Sequence, residues 1–190
     1  MIELTWESAP LRICAYCLMP NHWHFVVWPR TERDLATFMQ ELTISHVRRW
    51  QEHHRVVGTG HVYQSRYKSF PVETGEYFYQ VVRYVERNAL RAGLCDRAEG
   101  WRWGSLWRRT SGSPEQRAIL HDWPLAEPRD WVKLVNRPET QAELDVMRRC
   151  VQRSQPLGSE KWVEKTARNL GLESTLRPRG RPRKENGELN

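Results

Sequence analysis

Little in this chain points to export or to a disulfide scaffold. Only four cysteines occur in 190 residues, too few for a disulfide framework. Cys14 and Cys17 form a nominal Cys-x-x-Cys, but they lie in an apparent strand, where residues three apart point to opposite faces. No second such pair accompanies them to complete a zinc site. The opening Met-Ile-Glu-Leu-Thr-Trp-Glu carries no basic leader, and no apolar run is long enough to cross a bilayer. No internal repeat is present. Acidic residues are the minority, 23 Asp and Glu against 30 Lys and Arg, for a formal charge of +7. That balance favours a polyanionic partner without requiring one. Together these absences argue against a membrane protein and a secreted mini-domain. The expected compartment is a reducing cytoplasm.

What is present is enough for a core. At 39% hydrophobic the chain fits one domain of ordinary size with an appendage. Ten tryptophans is a high number, and several alternate with arginine, as in Trp101-Arg102-Trp103 and Trp107-Arg108-Arg109. Such pairs suit exposed bases and phosphates, and they suit a core equally well.

Residues 11–19 and 22–28 are strand-like, and Pro20-Asn21 between them is a turn signal, so the pair reads as a hairpin. The period of two puts His22, His24 and Val26 on one face, with Trp23, Phe25 and Val27 on the other. From about Asp34, Leu35, Phe38, Met39 and Leu42 mark an amphipathic helix that runs to about His53. Residues 62–72 alternate and predict a third strand, with Arg66 and Lys68 on one side. A second helix follows, with Thr74 as a plausible N-cap and Gly93 near its end. Strand, strand, helix, strand, helix is an α+β order.

After Trp107 short helical stretches at about 114–121, 138–153 and 159–170 are separated by Trp-Pro, Glu-Pro, Arg-Pro and Gln-Pro breaks. The last of them is a candidate accessory DNA-binding helix. Residues 177–184 then hold five basic side chains and no acid, a composition unable to form helix or strand. The predicted organisation is a core over 1–110, a helical extension over 111–172 and a basic tail over 173–190.

Two imidazoles on one strand face fit either hydrogen-bonded core histidines or two ligands of one divalent cation. A third ligand would decide. Tyr84 and Asn88, four residues apart, share one helix face. If that face covers the histidines, an amide oxygen joins the site and a phenol stands beside it. The alternative is that Tyr84 only packs.

Three blocks now stand together: Ala15-Tyr-Cys-Leu-Met-Pro-Asn-His-Trp-His24, Gly60-His-Val-Tyr-Gln-Ser-Arg-Tyr-Lys68, and Arg83-Tyr-Val-Glu-Arg-Asn-Ala-Leu-Arg-Ala-Gly-Leu94. In order and spacing they resemble the REP-associated tyrosine transposases, members of the single-strand HUH transposases with one catalytic tyrosine. The resemblance covers about residues 11–108. It implies a ferredoxin-like or RRM-like antiparallel sheet with helices on one face. It also implies that His22 and His24 bind Mg²⁺ or Mn²⁺ with Asn88, and that Tyr84 is the nucleophile. The implied activity is cleavage and rejoining of single-stranded, hairpin-forming repeats (repetitive extragenic palindromes) through a 5′-phosphotyrosine, by a monomer, with a dimer as the alternative, at the bacterial nucleoid. Tyr63, Arg66, Tyr67 and Lys68 become candidates for contacting single-stranded DNA, with cross-strand packing as the alternative for the tyrosines.

The chain departs from the family pattern twice. Asn88 is followed by Ala89 where the family has proline. Only ten residues precede Leu11, where the family has a first strand and helix, so the hairpin is expected to expose an edge and half its apolar face. Two rival readings stay open: a non-catalytic DNA-binding protein derived from a truncated transposase, and a phosphodiesterase using water instead of Tyr84. In the tail, Arg179, Arg181 and Arg183 resemble an AT-hook core that would enter the minor groove of AT-rich duplex. A generic basic tail is the alternative.

Overall fold

The computed structural model describes residues 1–58 and 60–177. The class is α+β. A short helix, α1 (Ile2–Ser8), precedes a hairpin of β1 (Arg12–Leu18) and β2 (Trp23–Trp28). Then come the long α2 (Asp34–His54), α3 (Glu76–Glu86) and the single turn α4 (Asn88–Arg91). The C-terminal half adds α5 (Ser105–Ser111), α6 (Pro114–Arg117), α7 (Trp131–Asn136), α8 (Gln141–Arg153) and α9 (Glu160–Leu170).

The hairpin is the floor on which everything else is placed. Strand alternation divides its side chains between two clusters. Ile13, Tyr16 and Leu18, with Trp23, Phe25 and Val27, pack with α1 and with Phe38, Met39 and Leu42 of α2. Cys14, Ala15, Cys17 and Val26 pack under Phe78, Val81, Val82 and Val85 of α3. Helices therefore cover both faces of the hairpin, not one. A two-strand sheet has two apolar faces, and each must be covered. The pairing register shifts between Ile13 and Ala15, a bulge that places Cys14 on the same side as Cys17. Both thiols thus face α3, contrary to the opposite-face expectation.

The expected exposed edge of β1 is covered. The Leu18 amide donates to Trp103 O at 3.0 Å, and the Tyr16 amide to Ser105 Oγ at 2.9 Å. Leu18 O accepts from Trp101 Nε1 at 2.9 Å, and Cys14 O from both Arg109 Nη2 and Trp123 Nε1. His121 N donates to Ile13 O at 2.8 Å. Residues 101–123 thus satisfy the outward backbone groups that a neighbouring strand would otherwise pair. The apolar face that lacked a predicted cover is closed by α1, whose Ser8 Oγ donates to Glu41 of α2 at 2.6 Å and whose Glu3 pairs with Arg108.

The third strand over 62–72 does not form. Only Val72 makes an isolated bridge, to Leu157. A strand needs a partner edge, and that of β1 is already taken; Pro71 also has no amide to donate. The helix start shifts as well: Gly75, at φ 128°, is the N-cap of α3 in place of Thr74. Gly93 adopts φ 69° just beyond α4, the left-handed terminus its residue type predicted.

A buried junction ties α3 to this cover. Glu86, 3% exposed, accepts from Ser105 Oγ at 2.7 Å and from Trp131 Nε1 at 2.7 Å. Burial pushes its carboxyl up to about 7, against the pull of those two donors. A carboxyl whose folded pKa is raised stabilises fully below the ordinary carboxylate range, and that stability is lost as pH rises through about 7. Glu86→Gln can keep both contacts, with its amide donating to Ser105 Oγ. It is expected to flatten the fall in Tm as pH rises from about 4.5 through about 7. An unchanged slope would sink this account.

Candidate active site

Three segments converge above the α3 face of the hairpin. The turn after β1 delivers Asn21 and His22, β2 delivers His24, and the α3–α4 segment delivers Tyr84 and Asn88. The rings of His22 and His24 stand 5.0 Å apart, edge to face, and the ring of His24 is 5.9 Å from that of Tyr84. Asn88, 6% exposed, places its Nδ2 3.4 Å from His22 Nε2. Alternation along β2 and the four-residue helical step both hold, so the four residues picked out from sequence meet at one place.

Electrostatics keep both histidines neutral. Burial, with the nearby charge of Arg91, lowers the His22 pKa. Burial, then His22, then Arg91 lower that of His24 to about 4. Neutral imidazoles retain a lone pair, which is the form that ligates a cation. His22 Nδ1 lies 2.7 Å from Asn21 Oδ1. Because that oxygen only accepts, the proton sits on Nδ1 and the lone pair on Nε2, facing Asn88. Two neutral imidazoles are ligands of the kind a divalent transition cation takes, and an amide can add an oxygen donor to them. Among the described residues no cluster of three or more His, Cys, Asp or Glu could hold a metal, and the four cysteines are all free.

Arg91 was missed by sequence reasoning. Its guanidinium carbon lies 4.1 Å from the centre of the Tyr84 ring, and Nη2 donates to Asn88 Oδ1 at 2.5 Å. Glu139, from the loop before α8, receives Arg91 Nη1 at 2.8 Å and Arg87 Nε at 2.9 Å. Arg83 reaches Glu143 and the carbonyls of Leu134, Arg137 and Pro138. Arginines at 83, 87 and 91 thus form a ladder at four-residue spacing that clamps the C-terminal half to α3 and α4. The spacing was visible in the sequence; its acidic partners lie some fifty residues away and were not.

The remaining candidates lie elsewhere. Tyr63 is half-buried, with its Oη 2.7 Å from His46 Nδ1 on α2. Arg66, Tyr67 and Lys68 are exposed on the irregular segment before α3. The tryptophan–arginine pairs split: Trp101 serves the β1 edge, whereas Trp103 is exposed beneath Arg102. In α9 only Ala167 is buried. Arg179, Arg181 and Arg183 fall outside the described residues.

A family model described as IS200-like transposase matches residues 1–88, from α1 through Asn88. No curated protein and no solved structure gives a significant match. Among the described residues no helix is long and apolar enough to cross a membrane. The matched stretch contains His22, His24, Tyr84 and Asn88 and stops before the arginine clamp is complete. Over residues 1–88, just under half of its length, the chain is similar to the IS200-like transposases.

Proposed function

We propose that the chain cuts and rejoins single-stranded DNA at the foot of hairpin-forming repeats, acting as a REP-associated tyrosine transposase at the nucleoid. The observation that carries this is the convergence of Tyr84, His22, His24 and Asn88, with both imidazoles held neutral. The histidines and Asn88 would hold Mg²⁺ or Mn²⁺, which, when bound, offsets charge on the phosphate. Tyr84 Oη forms a bond to phosphorus and the bond to the 3′-oxygen breaks. The strand leaves with a 3′-hydroxyl, and the 5′-phosphate stays on Tyr84. Attack by a 3′-hydroxyl on that ester reverses the step, so rejoining needs no added energy source.

The test uses the full chain with a labelled hairpin oligonucleotide and Mn²⁺, read on a denaturing gel. A protein–DNA adduct carrying the label on the 5′-phosphate side is expected. Cut DNA without an adduct would support water as the nucleophile, and binding without cutting would support a DNA-binding protein only. The exposed edge that favoured that last reading is covered here by residues 101–123.

Arg66 and Lys68 are proposed phosphate contacts, and Tyr67 a stacking surface. Both cations are exposed, with no ion pair among the described residues. Arg66→Gln with Lys68→Gln is expected to reduce the slope of log affinity against log salt by about 1.4, the release expected for two phosphates on a single strand. An unchanged slope would remove both from the interface.

A further inference from the structure

Arg91 fixes the direction of a whole hydrogen-bond chain. A guanidinium has only donors, so the Asn88 atom 2.5 Å from Nη2 must be the amide oxygen. The Asn88 nitrogen, also a donor, is then the atom that faces His22 Nε2 at 3.4 Å. His22 must accept there and so carries its proton on Nδ1, toward Asn21 Oδ1 at 2.7 Å. One cation therefore sets Asn88, His22 and Asn21 in turn. Glu139, whose side chain is 6% exposed, holds that cation from the C-terminal half.

This arrangement turns the wrong atom of Asn88 toward the histidines. A cation shared by His22 and Asn88 needs the amide oxygen, and that oxygen is held by Arg91. We propose that Arg91, anchored by Glu139, is a positioning residue that keeps the site closed to divalent cations until it releases Asn88. Loading then requires the Asn88 amide to turn over, with Arg91 giving up Asn88 while keeping Glu139 and the face of Tyr84. The proposal rests on the reading of His22, His24 and Asn88 as ligands. It adds that the part of the chain beyond the family match governs how tightly they bind.

The measurement is Mn²⁺ affinity of the full chain, followed by Mn²⁺ electron paramagnetic resonance, with circular dichroism to verify folding. Arg91→Met frees the amide and removes a like charge, so Mn²⁺ should bind about tenfold tighter. Arg91→Lys keeps the charge and a donor, and should stay within about threefold of the parent. Equal affinity in the parent and Arg91→Met would overturn the closed-site proposal while leaving the ligands in place. Loss of binding in Arg91→Met would overturn it too, making Arg91 a support and not a barrier. No binding by the parent or by Arg91→Met would overturn the ligand assignment itself. As a measurement independent of variants, Mg²⁺ titration of the parent followed by NMR should move the Asn88 side-chain amide and the Arg91 guanidinium signals together. An Arg91 signal that stays still while His22 shifts would also overturn the proposal.

Discussion

Tyr84→Phe is expected to abolish the covalent protein–DNA adduct while leaving hairpin binding within about twofold. The substitution removes one oxygen and keeps the ring, so the edge contact with His24 and the cover by Arg91 both survive. Tyr84 is only partly buried, and its ring packs against the α3-side core. Phenylalanine therefore fits without a cavity, and no stability loss can be confused with a loss of chemistry. Tyr79, earlier on α3, has its Oη committed to Ala126 O at 2.7 Å. The readout is a denaturing gel of labelled hairpin DNA with Mn²⁺. Persistence of the adduct would remove Tyr84 from its role, and cutting without an adduct would transfer the role to water.

The second large effect concerns folding. A chain ending at Thr110, the boundary suggested by the change in sequence character, is expected to lose cooperative unfolding altogether. Trp131 is 1% exposed and shares one core cluster with Ala15, Val82 and Val85; Val135, Met147, Cys150 and Leu157 belong to the same cluster. Removing the buried Trp131 side chain alone is expected to cost about 4 kcal/mol, against a total of roughly 5–15 kcal/mol for a domain. The shortened chain loses all five residues. It also loses the His121 and Trp123 donors to β1, the Trp131 partner of Glu86, and Glu139 and Glu143 of the arginine clamp. Urea unfolding followed by circular dichroism should show a broad, shallow slope, with dye binding typical of exposed apolar surface. A sharp transition matching the full chain would show that residues 1–110 fold on their own.

These two expectations divide the chain by the kind of reasoning each needs. The Tyr84 result is anchored in residues that one strand period and one helical step place together. The truncation result depends on contacts that no local pattern announces. Arg91 lies between the two. Its position three residues after Asn88 was open to the same helical argument, yet the anchor that holds it against the amide is Glu139, forty-eight residues further along.

By itself the sequence determined the hairpin, its two faces, the span of α2 to within a residue or so, and the Tyr84–Asn88 step. It also determined a basic chain whose first 88 residues match an IS200-like transposase family model. Each of these rests on steps of two to four residues, the range over which backbone geometry alone decides neighbours. The tertiary structure decided the rest. It left residues 62–72 without a partner edge, brought residues 101–123 along β1, and used a bulge to turn Cys14 to the side of Cys17. It also turned the Asn88 oxygen toward Arg91. The physical reason is shared by all four. Backbone donors and acceptors at an edge, and a buried amide, must find partners somewhere. Which distant segment supplies them is settled only when the whole core closes.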